Sequence, residues 1–582
     1  MRITAIEIEN FKGISDRVRV DLKPITLLFG ANSAGKSTIL HALLYMKDVL
    51  ERRNLDAITT PVSGRALDLG GFRNFVHGQD LNRTVRIRVC MDGNGMDLPV
   101  MAPDYDLPMP MSGKPLEVQM SLQDTRLQML KSITSATVEI EVRWDQVSGK
   151  PVTFAYAVGL NGTNFVRIEY VNDKRTVGEF NLTNPAVSRP CTEEERWILG
   201  ELTDDDVIPA EIGAPFPLLG QILPLFEGGK SRLTGLINWL PPHDPIPDFA
   251  FRDALRLPST SWQFKDCWND DESDEECMEI ANSWAWDGTT FLARLIVGPG
   301  KLVRDWLQGL RYIGPLRSRP PRDGIAPEEL DDWSEGLAAW KALDNTTPEI
   351  FREISDWLSR KDRLNTGYSL RSTPLVELEA NDLKREVLGG ITPERLAELL
   401  EKAPKRTRIN LVTEAPPHLR LSPSDVGVGI AQVLPVVGGA IVPNPQQEPA
   451  VTLVAIEQPE LHIHPAMQVA LGDLFIEGVA KRGMSFLIET HSEHLLLRLL
   501  RRIREKAESE SPSELPGLSS DDISVLYVER SGAEQVEILS IEIDQSGKFV
   551  SRWPRGFFPE RMHEALPKEI RERVDSKTRG VE

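Results

Sequence analysis

Cysteine is scarce in this chain. The four present, Cys90, Cys191, Cys267 and Cys277, lack the paired spacing of a zinc finger. Neither a disulfide framework nor a structural metal knot is expected, and a reducing compartment fits. Long apolar runs are missing as well. No segment approaches the ~20 apolar residues that a membrane helix needs, and the opening stretch, residues 1–14, reads as a strand rather than a leader. Sustained heptads and solenoid-length repeats are absent, which argues against a long coiled coil or a repeat array. Basic residues are in deficit: 67 Lys and Arg stand against 87 Asp and Glu, a formal charge of −20. Most of such a surface repels nucleic acid, so nucleic acid remains a possible partner only through a local basic patch. The expectation is a soluble, cytoplasmic chain with no membrane partner. Its 582 residues, 41% of them hydrophobic, suffice for several domains.

What is there begins with period-two alternation. Ile3, Ile6 and Ile8, then Val18, Val20 and Leu22, predict a hairpin. Residues 84–90, 137–144, 152–159 and 165–170 alternate again and predict an antiparallel sheet. The stretch 176–310 differs: it carries Trp197, Trp239, Trp262, Trp268, Trp284 and Trp286 and the acidic run Asp270–Glu276. It reads as an inserted, mainly helical subdomain with a solvated acidic loop, or alternatively a docking site for a basic partner. Helical patterns follow at 326–343, 347–361 and 393–403, strands at 407–413 and 417–421. A compact α/β stretch covers 424–500. A terminal meander is expected at 523–530, 535–543 and 548–553.

Gly30-Ala31-Asn32-Ser33-Ala34-Gly35-Lys36-Ser37-Thr38 fits G-x-x-x-x-G-K-[ST] throughout. It lies between the apolar strand Ile25–Phe29 and a helical run from Ser37 to about Leu50, the context that a phosphate-binding loop requires. Glycines let the backbone wrap phosphate so that successive N–H groups point inward. Lys36 is expected to neutralise the β- and γ-phosphates. Ser37 is expected to ligate Mg²⁺, and the following helix N-terminus adds positive potential.

Residues 451–460 form an apolar strand ending in Glu457, followed by Gln458 and Glu460. A carboxylate at such a strand end can hold Mg²⁺ directly or through water, so Ser37 and Glu457 are the expected metal ligands. Strand 484–488 ends in Glu489-Thr490-His491-Ser492. His491 is placed to reach a γ-phosphate or attacking water, while Thr490 or Ser492 can cap the next helix. His462, His464, His491 and His494 also admit a metal-site reading. Ser424, Gly427, Gly429 and Gln432 precede an apolar helix. Small residues there make an anion cradle, or simply a helix cap.

Together these motifs resemble the ABC-type ATPase superfamily, in its SMC/RecF/OLD-like branch. Glu9–Ile14 looks like that branch's N-terminal strand and turn, which implies that Lys12 lies near the nucleotide. Gln458–Pro465 is similar to the E-E-P-E-x-H-L-H-P motif of OLD-like ATPases. Residues 424–432 stand in for the signature motif as Gly-x-Gly-x-x-Gln. Tyr312–Arg317 and Trp553–Phe558 look like a bacterial, defence-associated subgroup. The resemblance implies an α/β P-loop fold, a bilobal ATPase head with an antiparallel β lobe and an inserted helical subdomain. The regions are 1–175 (lobe I), 176–310 (insertion), 311–404 (helical segment) and 405–582 (lobe II). It implies ATP and Mg²⁺ as cofactors and a homodimer or higher even-numbered homo-oligomer, with the signature stretch of one subunit facing the nucleotide of another. Catalytic roles fall on Lys36, Glu457, Gln458, Glu460 and His491. The implied activity is an ATP-driven switch in antiphage defence or nucleic-acid surveillance with a separate effector, a nuclease or toxin. A slowly hydrolysing scaffold and a DNA repair ATPase are the alternatives. Two departures matter. Gln458 replaces the usual second acid, and glutamine cannot take a proton from water. Val528-Glu529 superficially resembles the first acid of a Toprim nuclease, but no Asp-x-Asp partner follows.

Overall fold

The computed structural model describes residues 2–52, 69–93, 129–171, 174–181, 294–320, 333–376, 388–403, 405–443, 453–509, 516–531 and 535–551, with a few short pieces besides. Trp197, Trp239, Trp262, Trp268, Trp284 and Trp286 of the insertion, its acidic run, Cys191, Cys267 and Cys277 lie outside the described residues, while the insertion's seventh tryptophan, Trp306, lies within them.

Two large sheets organise the chain. The first is antiparallel and seven-stranded, in the order β10-β9-β8-β7-β6-β1-β2. Its strands are β1 (Arg2–Glu9), β2 (Val18–Asp21), β6 (Val85–Asp92), β7 (Ser135–Asp145), β8 (Lys150–Leu160), β9 (Thr163–Val171) and β10 (Lys174–Phe180). Alternation decides which way each residue points. Ile6, Ile8, Ile87, Val89, Val138 and Ile140 enter one core. On the other face, register sets Glu7 opposite Arg88 and Glu9 opposite Arg86, then Arg86 opposite Glu141 and Arg88 opposite Glu139.

The second sheet is six-stranded, β11-β15-β16-β3-β17-β18. It contains β3 (Ile25–Gly30), β11 (Arg311–Ile313), β15 (Leu453–Glu457), β16 (Ser485–Glu489), β17 (Ile523–Ser531) and β18 (Gln535–Ser540). All its pairings are parallel except β17 with β18. A parallel sheet is covered on both faces, which is why these strands read as continuous apolar runs. Leu28, Ala455, Leu487 and Leu526 face the core shared with the antiparallel sheet and with α1 (Lys36–Arg52). Leu27, Val454, Ile456, Phe486 and Ile488 face a second core. That core is built by α2 (Leu337–Asn345), α3 (Pro348–Ser359), α5 (Val428–Ile441), α6 (Pro465–Arg482) and α7 (Glu493–Ala507). Between them in sequence, α4 (Pro393–Lys402) buries none of its residues. A three-stranded antiparallel sheet, β12 (Tyr368–Val376), β13 (Lys405–Thr413) and β14 (Arg420–Leu421), and the small pair β4 (Thr60–Val62) and β5 (Arg65–Leu67) complete the strands.

The fold is mixed α/β with an antiparallel sheet, as the alternation and the strand–turn–helix unit require. Three boundaries differ. The expected strand at 417–421 shortens to Arg420–Leu421, because Pro416 and Pro417 cannot donate to a ladder. The last meander strand reduces to a bridge between Ile543 and Phe549. A helix over 294–308 falls inside the expected insertion but packs Leu295, Val297 and Leu307 into the antiparallel sheet's core, and Tyr156 donates to the Ile296 carbonyl at 2.8 Å. No described helix is long and apolar enough to cross a membrane.

Candidate functional site

Strand β3 runs out at Gly30, and the chain must turn sharply to start α1. Gly30 (φ 143°), Ser33 (φ 62°) and Gly35 (φ 110°) take positive φ. At Gly30 no other residue fits, since an added Cβ would sit 2.0 Å from the Val528 carbonyl oxygen of β17. The turn leaves Ala31, Asn32 and Ser33 exposed and buries Ala34, Lys36 and Thr38. Lys36 Nζ donates to the carbonyls of Gly30 (3.1 Å) and Ala31 (2.9 Å). It lies 3.7 Å from Glu489 Oε1. Burial pulls the Lys36 pKa down, and Glu489 opposes that pull.

Parallel pairing of β15, β16 and β3 brings Glu457 and Glu489 to the same edge of the sheet as this loop. Ser37 Oγ donates to Glu489 Oε2 at 2.7 Å. The Glu457 carboxylate, expected with Ser37 as a metal ligand, accepts from Tyr312 Oη at 2.7 Å, interacts with the Ser37 hydroxyl as well, and faces His41 Nε2 at 3.8 Å. Burial raises the Glu457 pKa, the Tyr312 hydrogen bond opposes this, and the neighbouring Glu489 adds to it. Lys12, in a left-handed turn (φ 50°), contacts His41 Nδ1 at 2.6 Å. Its pKa falls to about 8, chiefly by burial, with Glu457 pulling the other way. His41 is held down to about 3 by burial and by Lys12, so its ring is neutral. Lys12 thus reaches the Glu457 side of the loop through His41, a histidine that sequence reasoning missed.

The turn after β15 is fixed by its backbone. Gln458 has φ 44°, and its N–H donates to the Glu489 carbonyl at 2.7 Å. Glu460 accepts from the His491 N–H (2.6 Å) and the Thr490 hydroxyl (2.9 Å). Burial raises its pKa, and these hydrogen bonds oppose the rise. The His491 side chain is exposed at the surface, and partial desolvation, then Lys36, lowers its pKa. Ser492 caps α7 by accepting from the Leu495 N–H at 3.1 Å.

Arg317, only 4% exposed, locks this turn to α5. Its guanidinium donates to the Glu457 carbonyl at 2.6 Å and to those of Gln458 and Gln432 at 3.4 Å. Gln432 answers by donating to the Arg317 carbonyl at 2.8 Å and accepting its N–H at 3.3 Å. Burial lowers the Arg317 pKa to about 10. Gln432 was expected in a cradle facing another subunit. It is instead buried in its own chain, because an amide offers both a donor and an acceptor to one backbone. Gly427 and Val428 at the start of α5 are exposed, and nothing crowds Gly427. Gly429 packs against the His462 carbonyl, and Ser424 Oγ meets Ser422 Oγ at 2.9 Å.

The metal reading of the histidines finds no geometry. His464 caps α6 through Nδ1, and no group of three or more His, Cys, Asp or Glu is placed to hold a metal among the described residues. A hydroxyl beside two carboxylates is a different donor set. All its atoms are hard oxygens, which suit Mg²⁺ coordinated further by phosphate and water. The exposed loop with its positive-φ turns suits phosphate. The residues present therefore fit Mg-ATP.

Comparison with known proteins agrees at the loop. Residues 518–566 match a family described as a protein of unknown function (DUF3696), and no curated protein matches. Among solved structures, an SMC head bound to the C-winged helix domain of ScpA is 13% identical, with 94% of this chain and 99% of that chain covered and a TM-score of 0.35. The SMC head domain from Thermotoga maritima is 9% identical over 93% and 100%, with a TM-score of 0.32. The recombination mediator RecF is 12% identical over 92% and 98%, at 0.28. Similarity this low carries no argument about role, so the site's own geometry does. Residues 1–96, which hold β1 to β3, the loop, α1 and β6, match a family described as AAA ATPase domain, so this stretch of the chain is similar to an ATPase domain of the phosphate-loop type.

Proposed function

We propose that this chain binds Mg-ATP on residues 30–38 and hydrolyses it slowly, as a switch that closes when two copies meet. One observation carries the reading: Lys36 and Ser37, at the start of α1, meet Glu489 and Glu457 at the ends of adjacent parallel strands, with Ser37 Oγ 2.7 Å from Glu489. Phosphates on the loop take the place of the Gly30 and Ala31 carbonyls as partners of Lys36. Bound Mg²⁺ supplies charge neutralisation for the phosphates, held by Ser37 and the strand-end acids. Glu460 fixes the His491 backbone and so aims the exposed ring at the nucleotide. Lys12, through His41, adds positive charge on the far side of Glu457.

The exposed start of α5, at Gly427 and Val428, favours a composite site in which the stretch 424–432 of a second copy roofs the nucleotide through that exposed end, with Gln432 kept inside its own chain. The assembly is then a homodimer or a higher even-numbered oligomer. Regions 1–175 and 405–582 are read as the two lobes, 176–310 as an inserted subdomain and 311–404 as a helical segment. By the resemblance of its motifs, the switch serves antiphage defence or nucleic-acid surveillance and acts on a separate effector.

Gln458 favours a second reading, a scaffold that binds ATP and hardly hydrolyses it. Its amide cannot serve as a base, and the acids nearby are engaged. Turnover by wild type, Lys36→Ala, Glu457→Gln and Glu460→Gln separates the readings. Wild-type turnover above that of Lys36→Ala supports the switch. Equal turnover with ATP-dependent dimerisation, read by light scattering, supports the scaffold. Absence of ATP binding removes both.

A further inference from the structure

We propose that Glu489 is a metal-ligating acid of the nucleotide site, holding the divalent cation together with Ser37 and supplying the second carboxylate that Gln458 does not. This rests on the ATP-binding reading above.

The placement follows from strand pairing. β15 and β16 run parallel with Glu457 directly beside Glu489. Register partners in a parallel pair project to the same face, so the two carboxylates stand level at the sheet's edge. The second acid expected one residue after Glu457 is thus found one strand away. The neighbouring acids are engaged differently. Glu457 accepts from Tyr312 and faces His41. Glu460 has both oxygens taken, by Thr490 and His491. Gln458 is turned by its backbone, whose N–H is bound to the carbonyl of Glu489 itself. Ser37 also interacts with Glu457, but of these four only Glu489 both accepts from the Ser37 hydroxyl at 2.7 Å and lies within salt-bridge distance of Lys36.

Its burial, at 6% exposure, adds a second argument. A carboxylate removed from water needs a cation, and the nearest is Lys36. Once Lys36 turns to phosphate, Glu489 loses that partner. A divalent cation beside Ser37 restores the charge balance. Mg²⁺ commonly takes one or two carboxylates together with phosphate oxygens and water, which is the complement offered here.

The test uses full-length protein, a fluorescent ATP analogue and Mn²⁺ read by electron paramagnetic resonance. Wild type should bind the analogue in EDTA and bind Mn²⁺ more tightly with the analogue present. Glu489→Gln should keep metal-free analogue binding but weaken nucleotide-dependent Mn²⁺ binding by about tenfold or more. Ser37→Ala should weaken nucleotide-dependent Mn²⁺ binding likewise, and the double variant should lose little of that binding beyond either single one. Glu489→Asp, which keeps the charge on a shorter stem, should recover part of the binding and guards against a folding defect in the amide variant. Glu489→Gln or Glu489→Asp that folds and titrates Mn²⁺ as wild type does overturns the proposal and leaves ATP binding intact. Wild type that binds the analogue no better than Lys36→Ala overturns the ATP reading and this proposal with it.

Discussion

Both large sheets bury glutamates, and they treat them in opposite ways. In the antiparallel sheet Glu139 and Glu141 are 5% and 2% exposed. Arg17 (2.9 Å) and Arg88 (2.7 Å) flank Glu139, while Arg86 (3.3 Å) and Arg167 (2.5 Å) flank Glu141. Burial pushes Glu141 up, but Arg167 and Arg86 outweigh it, and its pKa ends below the ordinary value. In the parallel sheet Glu457 and Glu489 are 7% and 6% exposed, yet no arginine lies within salt-bridge distance of either among the described residues. Hydroxyls, a neutral histidine and two lysines, Lys36 and Lys12, surround them, with Arg317 beyond salt-bridge distance, and Glu457 ends above the ordinary value. Equal burial with opposite charge balance separates a carboxylate that holds a sheet together from one that awaits a cation.

Lysine removal should break the comparison most visibly. Lys36→Ala is expected to cut ATP turnover by about 100-fold or more, while Arg167→Ala leaves nucleotide binding unchanged. Turnover assays and equilibrium binding check this, and equal losses in both variants would erase the distinction. Next comes the same chemical change made in each sheet. Glu141→Gln should cost about 2 kcal/mol in urea unfolding, because two arginines lose their countercharge. Glu457→Gln should leave the unfolding midpoint unchanged or raised while turnover is lost. A shift of the same sign in both variants would count against the contrast.

Acid sharpens it further. Glu141 has a lowered folded pKa, so its stabilisation is present above the ordinary value of 4.5 and is lost as pH falls through the folded value. Glu457 has a raised one, so its ionisation costs stability once pH rises through the folded value, and that cost vanishes below 4.5. The stability gaps between wild type and the two glutamine variants should therefore have opposite signs at neutral pH. Both should close on acidification, as urea unfolding at stepped pH will show. The smallest effect concerns Lys12. A triphosphate nearby should raise its pKa from about 8, so ATP binding should take up a fraction of a proton just above that pH. Binding heats in buffers of different ionisation enthalpy measure the uptake, and Lys12→Met should abolish it.

Much of this was legible from residue order. Gly30–Thr38 announces its turn because its glycines, lysine and serine are adjacent, and the apolar runs of β3, β15 and β16 announce burial on both faces. The partners of Ser37 were not legible. They depend on β16 lying between β15 and β3, and no local pattern states the order of strands so far apart in the chain. Glu489 therefore passed as an ordinary residue before a helix cap. Arg317 and Gln432 were hidden for the same reason, since a glutamine in a small-residue turn looks outward until the buried guanidinium beneath it is known. Tyr312 and His41 carry no motif of their own and gain meaning only from Glu457.

The close approach of Gly30 to Val528 fixes a timetable for biosynthesis. Strand β3 leaves the ribosome long before both of its sheet neighbours, β16 and β17, which follow it far along the chain. Until residues 523–528 emerge, the nascent N-terminal region exposes Leu27 and Leu28 without their lateral strands. Contacts of such sequence separation form slowly and leave sticky edges open meanwhile. The nucleotide loop is thus written first and shaped last, and a nascent chain stalled before β17 should depend on chaperones to stay soluble.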